Sequence, residues 1–202
     1  MKTTKLILTA LGMLAGVLAA HASTVVTLDT SSLIGHPAGP FYIDFQLNDG
    51  TGMNDNVVSI TNLSLGGGAI AGPAVLFGGA SGDLLAGVTL TDVEAFNEFY
   101  QAFLPGAHVR FDLTMSHVFA GPVPDVFGFA ILDSNLANLA TFSLGSDQFL
   151  IASLDGASPA IEVFASVDGS VPAPHIPDTG RTLGLVAIAL VGLGLSRRLA
   201  VP

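Results

Sequence analysis

The chain is 202 residues long, half of it apolar, with no cysteine, no tryptophan and six basic residues against sixteen acidic ones. All sixteen acids but only one base, Arg110, fall within residues 23–180, a net charge near −15 that argues against nucleic acid or an anionic membrane as a partner and for attraction of cations. The missing cysteine excludes thiol catalysis, disulfide staples, cysteine zinc sites and lipid attachment at an N-terminal cysteine, so a body of about 155 residues must hold itself together by its own core.

Residues 1–22 carry Lys2 and Lys5, an apolar run from Leu6 to Ala20 and the small-x-small pattern Ala20-His21-Ala22. That is the make-up of a secretory signal peptide cut before Ser23, with the Sec translocase as the partner it requires. Residues 23–168 then alternate with period two between clusters of Gly, Asn, Asp and Pro, the pattern of half-buried strands joined by turns. Residues 25–29 open the body. Residues 41–48 put Phe41, Ile43, Phe45 and Leu47 on one face and Tyr42, Asp44, Gln46 and Asn48 on the other. In residues 57–65, Val58 and Ile60 are out of phase with Leu63 and Leu65, which predicts a bulge near Thr61-Asn62. Residues 66–82 read as flexible glycine-rich loops around a strand at 74–77, and 88–90 as a short strand. Thr91-Asp92-Val93-Glu94 has the form of a capping box that opens a turn or two of helix; residues 99–103 return to strand. Residues 107–119 form the strongest strand, with Val109, Phe111, Leu113, Met115, His117 and Phe119 inward. Strands at 126–132, 140–144, 148–154 and 160–167 complete the body. Many short strands with almost no helix predict an all-β, antiparallel β-sandwich, of which the jelly roll is one form.

After a Pro-rich linker at 169–175 comes the segment 176–202. It comprises Ile176-Pro177-Asp178-Thr179-Gly180, an apolar run from Leu183 to Leu195, and Arg197-Arg198. The run is short for a lasting transmembrane helix, which needs roughly 20 apolar residues. The paired arginines act as a stop-transfer signal on the cytoplasmic side. Together these residues resemble the PEP-CTERM class of sorting tails, most closely its Val-Pro-Asp-Ser-Gly variant, with Ile for Val and Thr for Ser. The resemblance covers about the last tenth of the chain. It implies transient anchoring in the inner membrane of a Gram-negative bacterium, cleavage by an exosortase, and release to the cell surface or extracellular matrix. Ile176–Gly180 also resembles a sortase signal of the Leu-Pro-x-Thr-Gly type; the bare Arg-Arg end favours the first reading. Two body segments, Gly39 to Leu47 and Phe96 to Phe103, are similar to parts of exosortase-sorted proteins, which implies a β-rich extracellular domain and no catalytic residues.

For chemistry the sequence offers little. There is no nucleophile elbow, zinc-binding His-Glu-x-x-His or phosphate loop. His108 and His117 lie nine apart and fall on opposite faces of one strand, so they do not share a metal there. Asp44 and Asp112 read as solvated acids on outward faces. Calcium is the metal that fits best, through the oxygen-rich loop containing Asp49, Asn54 and Asp55, although EF-hand spacing is missing. Tyr42 and Tyr100, with Phe164, are the aromatics available for stacking on a sugar. The expectation is therefore a non-catalytic surface or matrix protein, then a carbohydrate-binding module associated with exopolysaccharide, and third a secreted hydrolase.

Overall fold

The computed structural model describes residues 23–50, 52–118, 122–154 and 159–177. Among them eleven strands form: β1 (Thr24–Asp29), β2 (Phe41–Asn48), β3 (Val57–Ser64), β4 (Ala69–Phe77), β5 (Gly79–Asp83), β6 (Gly87–Thr91), β7 (Phe96–Leu104), β8 (His108–Met115), β9 (Asp125–Leu132), β10 (Leu150–Leu154) and β11 (Ala160–Val163). The helical content of the described residues is a single 3-10 turn, Ser31–Leu33. The strands lie in two antiparallel sheets, a five-stranded one in the order β1-β8-β3-β6-β5 and a six-stranded one in the order β11-β10-β9-β2-β7-β4. The expected signal peptide and C-terminal apolar helix lie outside the described residues, and no helix among the described residues is long and apolar enough to cross a membrane.

The alternation read from the sequence decides which side chains meet between the sheets. Val26 and Leu28 of β1, Phe41, Ile43, Phe45 and Leu47 of β2, and Val109, Phe111 and Leu113 of β8 are all fully or almost fully buried. Phe45 and Phe129 of the six-stranded sheet each meet Phe111 of the other edge-on, at 5.2 Å between ring centroids, a favourable geometry for aromatic pairs. The anticipated bulge is present, with the β3–β8 register shifting between Thr61 and Ser64 and Asn62 at φ 54°. It turns Leu63 and Leu65 back towards the core.

Other expectations change. Residues 66–82 form two strands, β4 and β5. Their glycines serve close approach: Gly82 sits at φ +93°, and a side chain there would collide with the Gly87 carbonyl across the β5–β6 hairpin. No helix forms at residues 91–94. Thr91 pairs with Val57 and Gly79, and the Asp92 carboxylate accepts the Asp55 and Asn56 N–H groups rather than capping its own segment. The expected strand at 140–144 is a loop held by hydroxyls. Thr141 Oγ1 donates to the Gln148 carbonyl and Ser143 Oγ accepts the Gln148 N–H, which leaves Phe142 and Leu144 outward. His117, expected inward, is exposed because β8 ends at Met115, and Phe119 lies outside the described residues. The 169–175 segment is packed rather than a free linker. Val171 is fully buried, and His175 exchanges two backbone hydrogen bonds with Thr27, covering the free edge of β1.

Candidate functional site

The outer face of the six-stranded sheet gathers three of the polar residues singled out from the sequence, Tyr42, Asp44 and Tyr100. Alternation directs Tyr42, Asp44 and Gln46 of β2 to that face, and the register sets Tyr100 opposite Asp44 and Glu98 opposite Gln46. Tyr42 and Tyr100, far apart in sequence, come together edge-to-face at 6.0 Å. Gln148 donates from Nε2 to Gln46 Oε1 at 3.2 Å, and Gln46 Nε2 donates to Asp44 Oδ2 at 2.6 Å. Gly128 of β9 makes room for this chain, since a Cβ there would collide with the Gln148 amide. Phe164, the third aromatic considered, is half-buried in the segment after β11.

Asp44 itself departs from expectation. It points to the outer side, yet it is fully buried, and its Oδ1 has no hydrogen-bond partner. Burial, followed by the nearby Glu98 charge and against the Gln46 hydrogen bond, pushes its carboxyl up to about 7; burial also raises Glu98. The acid beside Asp44 is thus Glu98 and not Asp112, which belongs to the opposite sheet and pairs loosely with Arg110 at 4.0 Å.

A second acidic group lies where the loop before β3, the loop after β6 and the start of β9 converge. One carboxylate oxygen each of Asp55, Asp92 and Asp125 lies within 4.8 Å of the others, and Asp92 and Asp125 are 1% exposed. Asn56 organises them. Its Nδ2 donates to Asp125 Oδ2, to the Val118 carbonyl and to Asp55 Oδ1, while its Oδ1 accepts from Ser116 Oγ and the Val118 N–H. Burial raises the Asp125 carboxyl, with Asp92 and Asp49 adding to the effect. Of the three residues expected to bind calcium, Asp55 joins this group. Asn54 is exposed, and Asp49 accepts the Gly52 N–H within its own turn. Asp92 and Asp125 went unnoticed because the first read as part of a capping box and the second falls just before the strand expected at 126–132. These three carboxylates are the described residues that could hold a hard cation, the ligand type calcium prefers.

A cavity of ≈ 310 Å³ opens between the 3-10 turn and the turn at 166–170, lined by Leu33, Phe41 and Leu139 with His36, Asp168 and Ser170 among its polar groups. Serine, histidine and aspartate at one cavity invite comparison with a hydrolytic relay, but the hydrogen bonds run otherwise. His36 Nδ1 accepts the Ala38 N–H, so in the neutral ring the proton sits on Nε2, opposite to the tautomer a serine–histidine–aspartate relay requires. Asp168 Oδ1 is taken by Ser166 Oγ, Ser170 Oγ and the Ser170 N–H, which, with the Ser166 hydroxyl foremost, lower its carboxyl to about 2. Compared with known proteins, the chain matches no family model, no curated protein and no solved structure.

The sorting residues fall at the boundary of the described chain. Ser23 is its first residue. His175 is bridged to Thr27, and Ile176 packs on the core with Pro177 directly after it. Ala20, Ala22, Asp178, Thr179, Gly180, Arg197 and Arg198 lie outside the described residues.

Proposed function

We propose that this is an exported protein, carried by the Sec translocase, held transiently in the inner membrane by its tail, and released to the cell surface or matrix by an exosortase. Its body serves there as a non-catalytic β domain. The observation that carries the reading is the order of the last 27 residues: Ile176-Pro177-Asp178-Thr179-Gly180, a short apolar run, then Arg197-Arg198. The packed position of His175 supports it, since the folded body runs up to the motif, whose first residue, Ile176, still packs on the core. The hydrogen-bond pattern around His36 and Asp168 supports a non-catalytic body. We assign the body to the jelly-roll class, because β1 pairs with β8, β2 with β7 and β3 with β6, the nested order of a rolled-up hairpin, with β4 and β5 consecutive at its turn. In the native host, intact-mass measurement of the surface-released protein should find residues 183–202 missing. Deletion of the exosortase, or alanines at Pro177–Gly180, should leave the full tail in the inner membrane. Released protein that still carries Arg197-Arg198 would overturn the reading.

A second reading, binding of exopolysaccharide by the same body, is favoured by one observation: the fold brings Tyr42 and Tyr100 together beside Gln46, Gln148 and Glu98. Aromatic faces next to amide and carboxylate groups suit the apolar and hydroxyl sides of a sugar ring. Retention on a polysaccharide that Tyr42→Ala or Tyr100→Ala removes would place it beside the first.

A further inference from the structure

We propose that Asp44 is a proton-binding site built into the outer face of the six-stranded sheet, filled under mildly acidic conditions and emptied under alkaline ones, so that the charge of this face follows the pH around the protein. The proposal goes beyond sorting and beyond sugar binding, and depends on neither.

Geometry carries it. A carboxylate fully removed from water requires a cation or several hydrogen-bond donors to stay ionised. Asp44 has one donor, the Gln46 amide on Oδ2, and nothing on Oδ1. Its surroundings are legible strand by strand. On β7 the facing titratable groups are Tyr100, its cross-strand partner, and Glu98, diagonal to it. On β2 itself Tyr42 is the titratable neighbour. Ala130 of β9 is opposite on the other side, with Gly128 and Leu132 the next residues of that face. Beyond β7, β4 contributes Val75 and Phe77. Beyond β9, β10 contributes Ile151 and Ser153, and β11 contributes Glu162. The described residues of this sheet include no lysine or arginine, and Arg110, on β8 of the opposite sheet, is the single base of the described chain. Every charge facing Asp44 is therefore negative, and the proton is what compensates it. The carboxyl pushed up to about 7 agrees with that arrangement. The event is a simple dissociation: the O–H bond breaks, the electron pair stays on the carboxylate, and the proton passes to water.

The protein carries its own reporter. It has no tryptophan, and its two tyrosines, Tyr42 and Tyr100, both flank Asp44. Tyrosine emission, which a neighbouring carboxylate quenches, is thus a direct probe of this site. In residues 23–177, emission followed from pH 5 to 9 should show a step with its midpoint near 7 that is missing in Asp44→Asn. The asparagine keeps an acceptor for Gln46 and mimics the protonated acid. A linked readout is folding stability. An acid whose folded value lies above its unfolded one favours folding at low pH, and that advantage is lost as pH rises from about 4 to about 7. The folding constant of the parent should therefore fall roughly thirtyfold more between pH 5.5 and 8 than that of Asp44→Asn. Glu98→Gln should keep the step and move it to lower pH. If Asp44→Asn does not fold, the carbon-13 carboxyl titration of Asp44 in the parent decides the matter. A midpoint below 5, or a fluorescence step that persists unchanged in Asp44→Asn, would overturn the proposal.

Discussion

Asn56 shows how one side chain can hold a corner of this sandwich. It is 1% exposed and uses its amide to join Asp55 before β3, Ser116 and residue 118 after β8, and Asp125 at the start of β9. Asn56→Ala leaves the Val118 N–H and the Asp125 carboxylate short of a partner, and each such orphan costs about 1–3 kcal/mol. We expect a loss of roughly 3 kcal/mol in urea unfolding at constant m-value. Asn56→Asp should lose more, because it places a fourth carboxylate beside Asp55, Asp92 and Asp125. A loss below about 1 kcal/mol for the alanine variant would show that the loops are held by something else. Asp44 is the counterpart case. The sequence placed it correctly on the outer side of β2, since side-chain direction follows from the pleat alone. It is nevertheless fully buried, between β7 and β9 on either side, and no local pattern reveals that.

At the scale of elements, the segment after β11 is the most instructive. Its prolines read as a linker, because proline cannot donate to a ladder and is common in extended spacers. Yet the N–H of His175, between Pro174 and Ile176, is free to pair with the Thr27 carbonyl at 2.7 Å. Val171 fills a place in the core with no exposure, and its N–H donates to Ser166 Oγ at 2.9 Å. The segment is therefore an edge cover for β1 and a plug for the core. A chain covering residues 23–168 should be less stable than one covering 23–177 by about 2.5–6 kcal/mol. That sum comes from one buried valine side chain at roughly 1.5–3 kcal/mol and edge hydrogen bonds at about 0.5–1.5 each. Equal melting temperatures for the two chains would mean that 169–177 contributes nothing to the fold. The loop at 140–148 teaches the converse. Its apolar residues alternate as in a strand, but pairing is confined to one antiparallel bridge, Thr141 with Ser166, while the hydroxyl groups of Thr141 and Ser143 satisfy the backbone of Gln148.

For the molecule as a whole, charge matters most: one base among residues 23–180 stands against sixteen acids. Self-repulsion of this kind keeps a protein soluble and lowers the stability of its compact state. Raising the ionic strength from about 0.01 M to about 0.15 M shortens the screening length from roughly 30 Å to roughly 8 Å, and should raise the melting temperature at pH 8. A fall, or no change, would show that repulsion among these carboxylates is not what limits stability. Acid should act in the opposite sense on a different set of groups. Asp29, Asp133 and Asp168 are held below the ordinary carboxylate range, chiefly by hydrogen bonds from Ser31, from the Ala137 N–H and from Ser166 respectively. Their contribution is present above the unfolded value and is lost as pH falls through the folded one.

Alternation with period two is a local property of the extended backbone. By itself the sequence therefore determined the all-β character, the inward faces of β1, β2 and β8, and the bulge in β3. Composition likewise determined the charge and the exclusion of cysteine chemistry. The meeting of particular polar groups was decided by the tertiary structure alone. Asp92 reaches the backbone of Asp55 across 37 positions, and Asn56 reaches Asp125 across 69. Asp44 meets Glu98 only because β2 and β7 pair in one register out of several. Such encounters depend on which strands become neighbours and on what covers each face. Those outcomes belong to the packing of two sheets around a shared core, and no window of sequence contains them.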